Sequence, residues 1–224
     1  MKQLIVNFHG VGDPPPMTDA SELKYWWDEK PFVAALDQIK RAREDAKLDV
    51  LITFDDGNMS DARIALPALL ERKLTAEFFV CAGRVGKSNY LDRAALADLL
   101  DAGMSVGSHG LNHVDWRWTS DDELNAEIPG AIEKLEQFCG RPVTRVAIPF
   151  GSYDRRVIAR LRQQKLDSIF TSDGGYSLAS DWMRARNTLD RSQQNSNFLD
   201  LFSRADAPLA HSRRRLTTFY KTIR

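Results

Sequence analysis

The sequence predicts an α/β chain folded as a distorted parallel (β/α) barrel of about seven strands. Three observations carry that expectation. Short apolar runs alternate with longer amphipathic stretches along the 224 residues, as βα units require. These units are fewer than the eight of a full TIM barrel. No repeat or low-complexity segment interrupts them. A single domain over 1–224 is expected, because that length supports one substantial core.

The first strand is read at Lys2–Phe8, and five more at 50–54, Ala76–Val80, 104–107, 145–148 and Ser168–Thr171. A weaker seventh is read at 182–186. A helix at 31–46 opens on Pro31, tolerated in a first turn. The helix at 61–72 carries Ile64, Leu66, Leu69 and Leu70 on one side. The next, 92–102, stops before Gly103, a common terminator. Ser120 and Glu123 have capping-box spacing at the start of 120–138, which ends near Gly140-Arg141-Pro142. Helices at 153–164 and 213–222 complete the set. Residues 11–30 are the least regular. Pro14-Pro15-Pro16 and Tyr25-Trp26-Trp27-Asp28 follow the first strand, on the face where barrel enzymes place their site loops. Trp26 and Trp27 have two readings there, a cover over the barrel mouth or a sugar-stacking surface.

An apolar content of 43% and a charged content of 28% are ordinary for a globular chain. Lys plus Arg equals Asp plus Glu, so the basic excess of a nucleic-acid binder is missing and no such partner is expected. Cys81 and Cys139 are too few for a disulfide framework and read as buried free thiols. No apolar run approaches the roughly 20 residues of a membrane span. Leu4-Ile5-Val6 is too short for a signal-peptide core, so a cytoplasmic protein is expected. Oligomeric state is not legible.

The sharpest chemical signal is Thr53-Phe54-Asp55-Asp56-Gly57, an apolar strand ending in two carboxylates and a glycine. Adjacent side chains on extended backbone point in different directions. One carboxylate can bind a metal while the other faces substrate. In Ser108-His109-Gly110-Leu111-Asn112-His113, two histidines four apart share a face if the segment makes a helical turn. Such a pair can bind one divalent ion and leave positions for a carboxylate and water. Each motif alone also fits a cap or turn. Together they are stronger. Of four histidines, His9, His109 and His113 fall at the C-terminal ends of expected strands, with Asp55 and Asp56. Barrel enzymes assemble their sites from those ends. A third element, Ala147-Ile148-Pro149-Phe150-Gly151, runs a strand into a turn and a new helix.

These segments resemble the polysaccharide deacetylase family (carbohydrate esterase family 4). Residues 53–57 are similar to its Asp-Asp motif, His109 and His113 to its paired-His motif, and 145–151 to its Pro-aromatic-Gly motif. The likeness extends over roughly 4–175. It implies a distorted βα barrel in which Asp56, His109 and His113 bind the metal and Asp55 is the general base. It also implies that the backbone N–H of Phe150 stabilises the oxyanion, beside Pro149. The sequence departs from the family twice. Ala147 stands where relatives often have an Arg that orients the base; Arg184 or Arg186 is expected to supply that charge. No late Leu-x-x-His strand end provides the acid, and His211 is the only late histidine. Asn7-Phe8-His9-Gly10 is similar to a branch, the poly-N-acetylglucosamine deacetylases, with the acid on the first strand. His9 is therefore preferred to His211.

The expected activity is metal-dependent removal of N-acetyl groups from an amino-sugar or polysaccharide. Zn²⁺ is the first choice of cofactor, with Co²⁺, Ni²⁺ or Mn²⁺ also suited to His/carboxylate donors. Trp26, Trp27, Pro149 and Arg186 are the expected substrate contacts. Two rivals stand: an amidohydrolase for a cyclic imide, ureide or formylated amino sugar, and a carbohydrate-binding pseudoenzyme supported only by Ala147.

Overall fold

The computed structural model describes residues 2–16, 18–45, 47–197, 200 and 221. His211 and nearly all of the expected helix at 213–222 lie outside the described residues.

Six parallel strands form the body of the sheet in chain order: β1 (Lys2–Phe8), β2 (Asp49–Phe54), β3 (Ala76–Val80), β4 (Ser105–Ser108), β5 (Arg145–Ala147) and β6 (Ser168–Thr171). The weak seventh strand is β8 (Met183–Ala185), which continues the parallel order beside β6. Two short strands were not foreseen. β7 (Tyr176–Leu178) pairs antiparallel with the outer edge of β1. β9 (Asn187–Thr188) follows β8 almost at once and pairs parallel with β1. The chain therefore leaves one edge of the sheet at 185 and joins the other at 187, which nearly closes the barrel. Ala185 N–H donates to Ser177 Oγ at 2.7 Å, and Asn187 Nδ2 to the Ile5 carbonyl at 3.0 Å, across that seam.

Strand periodicity sorts the side chains. Leu4, Val6 and Phe8 of β1 and Val50, Ile52 and Phe54 of β2 face the helices. The alternate residues Ile5 and Leu51 pack inside the barrel with Phe79, Ala147 and Phe170. The same parity carries Asn7, Thr53 and Asp55 inward at the upper end, and the register sets Asn7 beside Thr53. The order of apolar and polar residues along two strands thus places the site.

Outside lie α1 (Ala20–Leu23), α2 (Glu29–Glu44), α3 (Leu66–Glu71), α4 (Arg93–Asp101), α5 (Asp121–Asn125), α6 (Ala131–Cys139) and α7 (Arg155–Arg162). The helix expected at 61–72 opens with a π-helical turn, Asp61–Ala65, before α3. That expected at 120–138 is divided into α5 and α6 by a second π turn, Ala126–Gly130, around Pro129. Pro129 has no N–H to continue the regular ladder. The Ser120–Glu123 capping box forms as read. Gly140 ends α6 in the left-handed conformation, φ 64°, which costs glycine little. Cys81 is buried and Cys139 half-buried, both as thiols. No helix among the described residues is long and apolar enough to cross a membrane.

Trp26 and Trp27 are corrected as a sugar-stacking surface. Trp27 N–H donates to the Gly10 carbonyl, and its own carbonyl accepts from Gly12 N–H, so this segment lies along the continuation of β1. Trp26 is 5% exposed and Trp27 1%. The Trp27 ring meets Phe8 edge-on at 5.2 Å, within a cluster that includes Phe32, Phe54 and Phe78. The Trp26 indole occupies the space a side chain at Gly10 would need. Both indoles are core.

Phe32 joins α2 to this cluster through Phe8 and Phe54. Phe32→Ala is expected to lower unfolding free energy by about 3–5 kcal/mol, the usual cost of an aromatic cavity. A urea transition shifted by less than a third of that would show that α2 repacks.

Candidate active site

A cavity of about 610 Å³ opens at the C-terminal ends of the strands, and His9, Asp55, Asp56, His109, His113 and Phe150 all line it. These were read from separate segments of sequence, and the barrel brings them together. Tyr25, Asp173 and Asp190 also line it and were not foreseen.

Asp55 continues β2 inward, its N–H donating to the Phe8 carbonyl at 3.0 Å. Asp56 then takes a left-handed φ of 78° and Gly57 one of 73°. That turn, rather than plain extended alternation, sends the second carboxylate another way. A non-glycine residue held there costs of order 1–3 kcal/mol, a strain that marks functional sites.

The two histidines do not share a helical turn, which corrects the expected geometry. Residues 109–115 are irregular, with Gly110 at φ 78° and His113 at φ 57°. The loop folds back so that the two imidazole centroids lie 5.2 Å apart. His109 Nδ1 lies 2.9 Å from the Ala147 carbonyl. A carbonyl only accepts, so Nδ1 carries the proton and Nε2 is left bare. Holding the tautomer through the far nitrogen is how metal-binding histidines are oriented.

His113 Nε2 is 3.3 Å and His109 Nε2 3.8 Å from Asp56 Oδ1. The donor atoms of Asp56, His109 and His113 all lie within 4.8 Å of one another. Tetrahedral coordination with ligand distances of about 2.1 Å sets donors about 3.4 Å apart. Asp56 Oδ1 is buried and has no hydrogen-bond partner, a costly condition for a carboxylate oxygen. An orphaned acceptor beside two imidazoles fits a divalent cation. Burial pushes the His109 pKa down to about 4, against the pull of Asp55. Burial also lowers that of His113, against the pull of Asp56. Both rings are thus neutral at pH 7, as ligation requires.

Asp55 is held differently. Arg186 lies between β8 and β9 and is wholly buried. Its Nη1 donates to Asp55 Oδ1 at 2.6 Å and its Nη2 to Asp55 Oδ2 at 2.7 Å. Asn7 Nδ2 donates to Asp55 Oδ2 at 2.9 Å, and Asn7 Oδ1 accepts from Arg186 Nη1 and from Thr53 Oγ1. Phe79 lies under the guanidinium, 5.1 Å from its centre. Burial alone would raise the Asp55 pKa, but Arg186 and the neighbouring histidines outweigh it and hold the carboxyl well below the usual range. Of the two arginines considered as substitutes at Ala147, Arg186 reaches the carboxylate. Arg184 instead donates to Gln3. Arg186 lines the cavity as well, with both terminal nitrogens bonded to Asp55 and its Nε without a hydrogen-bond partner.

His9 stacks on Tyr25, centroids 4.8 Å apart and planes at 20°, and its Nδ1 is buried without a hydrogen-bond partner. Phe150 stands at φ 58° and is 60% exposed, with its ring 4.5 Å from that of His113. Pro149 is buried and shapes this turn without lining the cavity, which corrects its expected role as a substrate contact.

A model of the polysaccharide deacetylase family matches residues 42–169, more than half of the chain. The putative polysaccharide deacetylase YxkH of Bacillus subtilis is 21% identical over 136 residues, 61% of this chain and 49% of that protein. The chain therefore spans about half the length of this curated relative. A polysaccharide deacetylase from Bacillus cereus has a similar structure, with a TM-score of 0.77 at 20% identity over 90% of this chain and 69% of that one. The Streptococcus pyogenes deacetylase PplD, solved in complex with acetate, gives a TM-score of 0.76 at 19% identity over 90% of this chain and 98% of that one. At such identities these structures speak for the fold. The family match goes further: this chain belongs to the polysaccharide deacetylase family.

Replacing Arg186 by Met leaves Asp55 buried without its cation, which is expected to cost about 3–5 kcal/mol in a denaturant titration. Asp55→Asn in the same chain should recover part of that loss, because no buried charge is then unpaired. An additive double variant would show that the pair is not coupled.

Proposed function

We propose that this member of the polysaccharide deacetylase family hydrolyses N-acetyl groups on an amino-sugar of a saccharide, using a divalent cation held by Asp56, His109 and His113. One observation carries the reading. Three metal-type donors and a carboxylate locked by a guanidinium share one cavity at the mouth of the barrel.

A bound cation would polarise the acetyl carbonyl and acidify water. Zn²⁺ suits this donor set best, and Co²⁺, Ni²⁺ and Mn²⁺ remain alternatives. The protein supplies the rest. Asp55 accepts the proton of the attacking water. Its depressed pKa keeps it ionised at neutral pH, the form able to accept a proton, although so stabilised a carboxylate is a weaker base. Arg186 and Asn7 fix both of its oxygens, so the acceptor does not reorient when the proton arrives. The backbone N–H of Phe150, presented by the left-handed turn, stabilises the negative oxygen; one such donor is worth about 3–4 kcal/mol in other hydrolases. His9 protonates the departing amine, which is otherwise too basic to leave. Phe150, exposed at the mouth of the cavity, offers an apolar face on which a sugar packs. Ala147 was the one residue favouring a binding module, and Arg186 supplies the cation it lacks.

Acetate release from a panel of N-acetylated oligosaccharides tests the reading, measured before and after exhaustive chelation. Activity is expected to disappear with the cation and return on its addition. Asp55→Asn should reduce turnover by about 10²–10⁴-fold, as loss of a general base does, while metal content is unchanged. Loss of the metal in that variant would mean that the two carboxylates have exchanged roles.

His9→Ala is expected to depress amide hydrolysis far more than hydrolysis of an aryl acetate, whose leaving group needs no proton. Equal losses on both substrates would remove His9 from the acid role. A selective amide defect in His211→Ala would transfer that role to His211.

A further inference from the structure

We infer that Glu127 is a positioning residue for the metal centre: its buried carboxylate fixes the loop that presents His113 and so sets how tightly a divalent cation is held. The inference rests on the metal-dependent reading above and adds to it a residue that touches neither the cation nor the substrate.

The loop at 109–113 has no helix or strand to hold its shape. Gly110 and His113 both take positive φ, and peptide groups in such a turn need partners of their own. On one side the loop is held by backbone. The Gly110 carbonyl accepts from Ala82 N–H at 2.9 Å and the Leu111 carbonyl from Gly83 N–H at 2.8 Å. On the other side Glu127 is the partner. Its Oε2 accepts from Leu111 N–H at 3.0 Å and from Asn112 N–H at 3.2 Å. Its Oε1 accepts from Asn112 Nδ2 at 2.9 Å. The Trp116 indole N–H, beyond His113 in the loop, lies 3.3 Å from Oε2. The donors thus bracket His113 on both sides in sequence.

The placement of this carboxylate is itself informative. Glu127 is 3% exposed and stands among Leu124, Ile128 and Ala131 on the inward side of the helical segment. Burying a carboxylate is costly unless its lone pairs are used. Here they are used by converging N–H groups, and hydrogen bonds to an ionised acceptor are the stronger kind. Two adjacent backbone N–H groups converge on one oxygen, so an acceptor is required. A glutamine keeps the shape and one acceptor oxygen but removes the negative charge that strengthens every one of these bonds. Residues that support metal ligands from outside typically change metal affinity about 10–100-fold when altered.

Co²⁺ binding to the full chain, followed by visible absorption in the absence of substrate, is the test. Glu127→Gln is expected to weaken Co²⁺ binding about 10–100-fold and to change the visible band that reports ligand geometry, with circular dichroism retained. Saturating Co²⁺ should restore most of the turnover, which a general loss of folding would not allow. A folded Glu127→Gln protein with wild-type Co²⁺ affinity and band shape overturns the inference. If that variant does not fold, Asn112→Ala decides. It removes the 2.9 Å bond to Oε1 and is expected to weaken Co²⁺ several-fold; unchanged affinity there overturns the inference equally. Failure of the metal reading itself has a separate signature, an unaltered protein that binds no Co²⁺.

Discussion

Arg186 lies at the seam where the barrel meets itself, and the site depends on its ion pair with Asp55. The arginine follows the last strand of the parallel order and precedes the two residues that pair with β1. Its guanidinium therefore reaches the barrel interior only when 183–188 has bridged the two edges of the sheet. Asp55 directly follows β2, 131 residues earlier in the chain. Desolvating two charges costs several kcal/mol each, and the attraction between them offsets this only with good geometry and further hydrogen bonds. Both conditions hold. The contact is bidentate, and Asn7 binds both partners. The Asp55 carboxylate is consequently oriented only in the closed barrel.

How far this was legible in the sequence differs from residue to residue. The Asp-Asp turn and the paired histidines, each of which alone also fits a cap or turn, stood out because all of them fall at the C-terminal ends of expected strands. Ala147 showed that a cation was missing but not where its substitute came from. Arg184 and Arg186 have the same parity on one extended segment, so both point inward, about 6–7 Å apart along it. Only the register beside β6 and β1 decides that Arg184 meets Gln3 while Arg186 meets Asp55. Such a register is a property of the closed sheet. The same limit explains Trp26 and Trp27. Their place depended on backbone hydrogen bonds to Gly10 and Gly12, which residue types do not announce. Two signals were present and unread. Asn7 is a polar residue inside the apolar strand Lys2–Phe8, and Glu127 stands beside Leu124, Ile128 and Ala131. A buried-face position occupied by an amide or an acid calls for a partner: for Asn7 it is Asp55, and for Glu127 the loop between His109 and His113.

Backbone strain is distributed in a way that bears on how the site works. Among the described residues, six besides glycine have positive φ, and three of them are Asp56, His113 and Phe150. Each is a member of the cavity, and each such conformation costs of order 1–3 kcal/mol. The surrounding framework must therefore over-determine these turns. It does so with contacts that make no use of a cation. Asp55 N–H is tied to Phe8, Gly151 N–H to Ile148, and the histidine loop to Ala82, Gly83 and Glu127. The His109 ring is likewise fixed through Ala147 before any ligand arrives. Donors held in place by the protein lose little freedom when a ligand binds, which is the physical content of preorganisation. What the donor cluster lacks is a hydrogen-bond partner for Asp56 Oδ1. Arg84, 3.6 Å from that oxygen, is too far for a hydrogen bond. The geometry of this corner is thus set by backbone turns and buried acceptors, while Asp56 Oδ1 stays unsatisfied between the two imidazoles, the arrangement on which the proposed metal site rests.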